Sequence, residues 1–304
     1  MPDSSLAVPA QQRRLIAVHA HPDDETTSNG FTLPKYAAEG AHVTLVTSNL
    51  GEEGEIVVPE LSQLGAAEAN ALGGYRYWEL QAACAALGVS EHAFIGGPGR
   101  YRDSGMMGEP TNDNPRCFWQ ADLDEAAAYV VQIIRRNRPQ VMLTYNENGG
   151  YGHPDHIQAH RAAVRARELA ADPTFAPELG DAWQIAKLYY GAIPRSAIAR
   201  GLEHLRAAGE DNLFGITDAK DAPFATDDEL VSAQISGSGY GEARLAAMRA
   251  HHTQISTDNP FFKFMSQIDD GEAWDYYQLA DGSPGPTDPV TGREHDLFAG
   301  IDSA

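Results

Sequence analysis

The sequence predicts an α/β fold: a Rossmann-like, mostly parallel sheet with helices on both faces, elaborated by a C-terminal α+β portion. Three observations predict it. Short apolar runs such as Leu15 to Val18 and Val43 to Thr47 recur between stretches with helical apolar spacing. The runs stop at polar clusters, HPDDE after the first and SNLGEEGE after the second. Strands that alternate with helices need crossover connections, which favour parallel pairing with both sheet faces covered.

Taken in order, residues 1–12 are small and polar and read as a flexible tail. Leu15–Val18 is the first strand. Ser28–Glu39 has helical spacing, with Pro34 a candidate break. Val43–Thr47 is the second strand. Leu61–Leu87, rich in Ala, Leu and Glu, reads as helix interrupted at Gly73-Gly74. Ala93–Ile95 is a third strand, Leu123–Arg136 an amphipathic helix and Val141–Tyr145 a fourth strand. Asp155–Ala170 is a helix, entered through Pro154 at a position where the missing N–H does no harm. Beyond residue 190 the pattern weakens. Lys187–Tyr190 and Leu230–Ile235 read as strands and Glu242–His252 as a helix, within loops rich in Gly, Pro and Asp. Residues 13–190 form the expected catalytic core, and 191–304 a portion completing the pocket within the same compact unit.

Composition narrows the function. The chain has 304 residues, 22 basic and 43 acidic, for a net charge of -21. Such acidity argues against nucleic-acid binding, which needs cations to displace phosphate counterions. Hydrophobic residues at 42% and charged residues at 21% describe an ordinary globular chain able to bury a large core. The 2 cysteines, Cys84 and Cys117, make neither a disulfide framework nor a four-thiolate metal site, and read as small apolar residues. No apolar run approaches the roughly 18 residues that cross a bilayer. The start, MPDSSLAVPAQQRR, lacks an export signal, so a cytoplasmic location is expected.

In open α/β sheets ligands bind outside the carboxyl ends of the strands, where the winding reverses. Two such ends carry nearly the same word: His21-Pro22-Asp23-Asp24 after the first strand and His153-Pro154-Asp155-His156 after the fourth. Imidazole and carboxylate together suit zinc, or ferrous iron in a facial triad. His21 and Asp24 on one tight loop can converge on an ion that a histidine of the second loop completes, and spacing leaves His153, His156 and His160 open for that place. An acidic helix start is the plainer account of HPDDE, but it leaves both histidines unexplained. Asp23, not needed for coordination, stands where a general base belongs. The spare histidine of the second loop can stabilise an oxyanion or protonate a leaving amine, with Asp155 orienting it through its other N–H. Metal, base, acid and orienter describe hydrolysis of an amide or ester.

AHPDDE and GGYGHPDH, together with LGEEGE at Leu50–Glu55, GGYR at Gly73–Arg76 and GRYRDSGM at Gly99–Met106, resemble the LmbE-like zinc deacetylases, the GlcNAc-phosphatidylinositol de-N-acetylase family. The resemblance runs from Arg14 to about Tyr190. It is greatest to the branch that deacetylates an N-acetylglucosaminyl-inositol in mycothiol biosynthesis, a small-molecule substrate. It implies one Zn2+ per chain, or Fe2+, on His21, Asp24 and His156, and Asp23 as general base. It also implies His153 as oxyanion stabiliser or acid, oriented by Asp155, and Tyr151 as a mobile group polarising the acetyl carbonyl. Arg76, Asp103 and Glu55 would line the sugar side. Two segments, Ala250–Ile255 followed by Phe261-Phe262, and Lys187–Tyr190, look more like the sister mycothiol S-conjugate amidase and would shape the far end of the pocket. A non-catalytic zinc-stabilised carbohydrate-binding protein is the reading from another class, disfavoured because binding alone needs no base.

Other features have plainer readings. Gly237–Gly241 lacks the third glycine of a dinucleotide loop, Glu242 standing there, and reads as a tight turn. His19 reads as a satisfied strand-end histidine and His160 as a support behind His156. His251 and His252 read as helix-end residues or as neighbours of the substrate path. Glu52 and Glu53 read as a solvated acidic loop. Tyr75, Tyr77 and Trp78 read as core.

Overall fold

A computed structural model describes residues 12–301 except 208, 210, 211, 213, 214, 259–261, 264, 265 and 267–272. Its strands are β1 (Arg14–His19), β2 (His42–Thr47), β3 (Glu91–Phe94), β4 (Val141–Thr144), β5 (Lys187–Ala192), β6 (Ala233–Ser236) and β7 (Trp274–Asp281). They form a 7-stranded sheet in the order β3-β2-β1-β4-β5-β7-β6. The first five strands pair in parallel, with Ile16 of β1 opposite Thr44 of β2 and Met142 of β4. β7 is antiparallel to both β5 and β6.

The helices are α1 (Asp24–Asn29), α2 (Thr32–Ala38), α3 (Leu72–Leu87), α4 (Leu123–Asn137), α5 (Pro154–Ala171), α6 (Arg195–Ala207) and α7 (Gly241–Ala250). Successive residues of β1 point to opposite faces, so its apolar run serves two cores. Leu15 and Ala17 pack with Leu33, Tyr36, Leu80 and Ala247 on one face. Ile16 and Val18 pack with Val130, Ile134, Ala159 and Ala162 on the other. At about 25 cal/mol per Å2 of apolar surface, each fully buried Leu or Ile contributes about 2 kcal/mol, which fixes strands and helices in this stacking. The order reverses at β1, whose chain continues to β2 on one side while β4 fills the other. The crevice outside the carboxyl ends of β1 and β4 is therefore where both HPD turns emerge.

The structure corrects several boundaries. Ser28–Glu39 is two helices, and Pro34 is not the break: it is the third residue of α2, where no intrahelical N–H is needed. The break precedes it, where Phe31 N and Thr32 N both donate to Asp275 Oδ2 of β7, at 3.0 and 2.8 Å. The helix expected from Leu61 begins only at Leu72, after a single 3-10 stretch at Pro59–Leu64. Gly73-Gly74 lies inside its first turn. A Cβ on Gly73 would stand 2.7 Å from Glu52 Cγ and 3.0 Å from Leu50 Cβ, so glycine lets the helix start lie against the LGEEGE loop. In the C-terminal portion, the strand expected over Leu230–Ile235 runs Ala233–Ser236, with Leu230 ending a 3-10 turn, and α6 and β7 occupy what read as loop. No helix among the described residues is long and apolar enough to cross a membrane.

Candidate active site

The first HPD turn bends directly off β1. His21 N donates to Asp24 Oδ2 at 2.8 Å, which closes the turn and starts α1. Asp23, at the N-cap of α1, has φ 114 and ψ -25, a left-handed conformation that costs a non-glycine residue on the order of 1–3 kcal/mol. The second turn leaves β4 through Asn146–Gly152 and enters α5, with His153 at its N-cap. Gly149, at φ 63, crosses so close to α5 that a Cβ there would stand 2.6 Å from His156 Cβ. The same glycine's carbonyl oxygen lies 3.1 Å from His156 Nδ1.

That contact assigns the His156 tautomer: Nδ1–H donates to Gly149 O, and Nε2 keeps a lone pair. Nε2 is buried without a hydrogen-bond partner among the described residues. It stands 3.5 Å from Asp24 Oδ1, while His21 Nδ1 stands 3.6 Å from Asp24 Oδ2. Ligand atoms about 2.1 Å from a common tetrahedral centre stand roughly 3.4 Å apart. The two spacings run to different oxygens of the Asp24 carboxylate, and the orphaned His156 nitrogen is what a divalent ion beside that carboxylate would satisfy. The charge fits too, since Asp24, Asp103 and Asp155 all crowd His21. Burial alone would raise the Asp24 carboxyl, yet His156 and His21 beside it hold it well below the usual carboxylate range. The ring nitrogens of His21, His153 and His156 also come within 4.8 Å of one another, as do ligand atoms of His21, Asp103 and Asp155.

Around this core the remaining groups take distinct places. Asp23 is pushed up to about 6 by burial, with Arg76 opposing the rise. Arg76 Nη2 lies 3.0 Å from Asp23 Oδ2 and also donates to Pro22 O, while Nη1 donates to Gly51 O at 2.8 Å. His153 Nδ1 accepts the Asp155 N–H at 3.1 Å, which leaves its proton on Nε2 as a donor. Burial, with His21 and His156 nearby, pushes the His153 imidazole down to about 3, so it is neutral. Tyr151 is 45% exposed, its ring centroid 5.0 Å from that of His156 and 6.2 Å from that of His153.

One expected contact is corrected. The Asp155 carboxylate does not turn to His153. Three donors from neighbouring loops, Asn49 Nδ2 at 2.8 Å, Ser104 N at 3.0 Å and Ser104 Oγ, hold it toward β1. There its Oδ2 meets His21 Nε2 at 3.2 Å. The expected sugar-side residues divide. Glu55 is exposed, but Arg76 and Asp103 are buried, and the two Arg76 Nη atoms and the Asp103 carboxylate bond within the protein. Asp103 accepts from Glu53 N at 3.1 Å and Gly105 N at 2.9 Å. Glu52 and Glu53 brace the same loop rather than facing water, Glu53 through two bonds from Arg102.

Sequence reasoning passed over Asn49, Ser104 and Tyr145. Each sits one or two residues beyond a strand or inside a quoted motif, a position that could have flagged them. Tyr145 OH accepts from Ala20 N at 2.9 Å. His19 Nε2 lies 2.5 Å from Asn29 Oδ1, and His160 Nδ1 lies 2.9 Å from Tyr145 O, so both support the site from behind. His251 is fully buried against Glu25, whereas His252 is exposed. Trp78 and Tyr75, expected in the core, are 72% and 41% exposed, and only Tyr77 packs against the core. They border an open groove with Ala82, Ala250 and His252. Lys187 and Tyr189 do not shape the pocket: both are buried in β5 and bond Glu294, leaving Tyr190 near His160. Phe262 packs with Leu245 and Met248, while Phe261 lies outside the described residues.

Residues 16–167 match the PIG-L family, GlcNAc-PI de-N-acetylase. The 1D-myo-inositol 2-acetamido-2-deoxy-alpha-D-glucopyranoside deacetylase of Geodermatophilus obscurus is 56% identical over 95% of this chain and 98% of its own. The chain belongs to the GlcNAc-PI de-N-acetylase family. Solved structures carry the family's fold across much lower identity. The N,N'-diacetylchitobiose deacetylase of Pyrococcus horikoshii superposes with a TM-score of 0.61 at 15% identity, covering 90% of this chain and 84% of that one. The 4-carboxy-2-hydroxymuconate hydratase of Pseudomonas putida KT2440 reaches 0.57 at 17% identity, covering 91% and 99%. A hydratase on the same scaffold shows that the fold alone does not choose the reaction, which the site must decide.

Proposed function

We propose that this chain hydrolyses the acetamide of 1D-myo-inositol 2-acetamido-2-deoxy-alpha-D-glucopyranoside, giving the free amine and acetate in mycothiol biosynthesis, with one zinc ion per chain. The observation that carries the reading is the near full-length relative of that name at 56% identity. The buried His21, Asp24 and His156, beside an Asp23 carboxylate held by Arg76, support it. A zinc ion on those three side chains would polarise the acetyl carbonyl and lower the pKa of water beside it.

The chain's own groups do the rest. Asp23 Oδ2 is pinned by Arg76, and Asp23 accepts the proton of the attacking water. As the carbonyl carbon becomes tetrahedral, the neutral His153 Nε2–H donates to the oxygen that gains charge. Asp23 then returns its proton to the sugar nitrogen as the C–N bond breaks, giving neutral amine and acetic acid, and the acid's remaining proton passes to the amine so that acetate and ammonium leave. Tyr151, half exposed at the rim, supplies a second donor to the same oxygen. Arg76 and Asp103 shape the floor from beneath while Glu55 faces the sugar. The amidase reading draws less support, since Lys187 and Tyr189 are committed to Glu294 at the far end of the sheet.

Purified zinc-loaded protein should release acetate and free amine in equal amounts from the N-acetyl sugar, at a higher kcat/KM than from a mycothiol S-conjugate. Asp23→Asn should keep its zinc and lose on the order of 100- to 10,000-fold in kcat. No acetate from wild type, or full turnover in Asp23→Asn, overturns the reading.

A further inference from the structure

The strained turn at Asp23 is held by two groups that the reaction above does not use. Asp23 N donates to Glu25 Oε2 at 3.0 Å. The other oxygen of that carboxylate, Oε1, lies 2.6 Å from His251 Nε2 and also accepts from Thr26 Oγ1 at 2.6 Å. Both Glu25 and His251 are wholly buried. His251 arrives from the end of α7, 226 residues further along the chain.

Two features are hard to explain as packing alone. A non-glycine residue at φ 114 relaxes unless its neighbours over-determine it. A charge-assisted bond from the strained residue's own N–H does that, and it is available only while the carboxylate stays in place. A buried carboxylate is itself costly without a donor or cation, and His251 is the side chain set against it. Arg76 fixes the Asp23 carboxylate from the opposite side, at Oδ2. The backbone of Asp23 is thus held through Glu25 and its side chain through Arg76.

We infer that Glu25 and His251 form a positioning pair, through which α7 fixes the backbone turn that aims Asp23 at the substrate. The inference rests on the deacetylase reading for its kinetic test, but not for its structural one. Neither residue touches substrate; both act through Asp23.

The test is a double-mutant cycle. His251→Leu, His251→Gln and Glu25→Gln are each made in the wild-type and Asp23→Asn backgrounds, and kcat, KM, bound zinc and Tm are measured. His251→Leu should lower kcat at least tenfold, with KM within twofold and one zinc retained. His251→Gln, which can still donate to Glu25, should recover most of that loss. In the Asp23→Asn background the loss should vanish, because nothing remains to be aimed. Crystal structures of the variants read the turn directly, whatever the turnover: in His251→Leu, Asp23 should leave the left-handed region. Should His251→Leu not fold, Glu25→Gln carries the same cycle. An unchanged kcat, a loss that persists in Asp23→Asn, or an unchanged Asp23 φ would overturn the pairing. A wild type that releases no acetate would instead overturn the proposed function, leaving the φ measurement to judge the pair.

Discussion

Asp155 of the second HPD turn supports His21 of the first, its Oδ2 standing 3.2 Å from the His21 Nε2. The bond fixes the imidazole with Nε2 as donor, which leaves Nδ1 facing Asp24. Carboxylates in this outer position hold a ligand ring in place and raise its basicity, and losing one typically costs 10- to 100-fold in metal affinity. Asp155→Asn should therefore weaken zinc binding by about that factor in metal-buffered titrations. Unchanged affinity with a loss confined to kcat would return Asp155 to the service of His153.

Gly149 makes the second turn possible. Any side chain there meets His156 Cβ at 2.6 Å and Ile157 N at 2.7 Å, on a backbone already at φ 63. Gly149→Ala should destabilise the protein by about 1–3 kcal/mol and lower its zinc occupancy, since the strain falls on His156. Urea denaturation together with metal analysis would check both.

The far end of the sheet allows the opposite experiment. Lys187 Nζ donates to Glu294 Oε1 and to Ala299 O, both at 2.7 Å, and Tyr189 OH donates to Glu294 Oε2 at 2.7 Å. Removing one partner of a wholly buried ion pair typically costs about 3–5 kcal/mol. Lys187→Met should lose that much stability, with kcat unchanged in the fraction that stays folded. A loss of kcat at full stability would tie β5 to the chemistry after all.

His92 predicts a pH dependence. Its Nδ1 accepts from Gln81 Nε2 at 3.1 Å and its Nε2 lies 3.1 Å from Thr47 Oγ1, an arrangement of the neutral ring. Burial pushes its pKa down to about 4, below the ordinary 6.5 of an unfolded chain. The unfolded chain then binds the extra proton first, so stability is complete above about pH 6.5 and falls as the pH drops toward 4. The loss reaches at most about 3 kcal/mol. His92→Gln should narrow its stability gap to wild type as the pH falls from 7 to 4.5, measured by urea unfolding. A gap that is constant with pH would contradict the shift.

Much of this was legible in the sequence because the information is local. β1 and β4 read as continuous apolar runs since both faces of a parallel strand are buried, and the HPD words sit where such strands end. The pairing of Asp155 with His21 was not legible, because it depends on Asn49 and Ser104, which arrive from two other loops. β7 was missed for a related reason. Its inward positions include Asp275, whose carboxylate serves the N–H groups of α2, so the strand does not alternate apolar with polar. α6 was readable in principle, with Ile198, Leu202 and Leu205 buried at helical spacing, but its apolar stripe is narrow. Trp78 was misplaced because α3 has no single apolar stripe to show which of its faces looks outward.

The insertion of β7 between β5 and β6 bears on how the molecule is made. During synthesis β6 leaves the ribosome before the strand that joins it to the sheet, and until β7 follows, β5 presents an open edge with no mate. A chain halted ahead of Trp274 would carry both hazards at once, and such bare edges invite sticking between neighbouring copies. Among the described residues, the last strand along the chain is the one that covers the β5 edge.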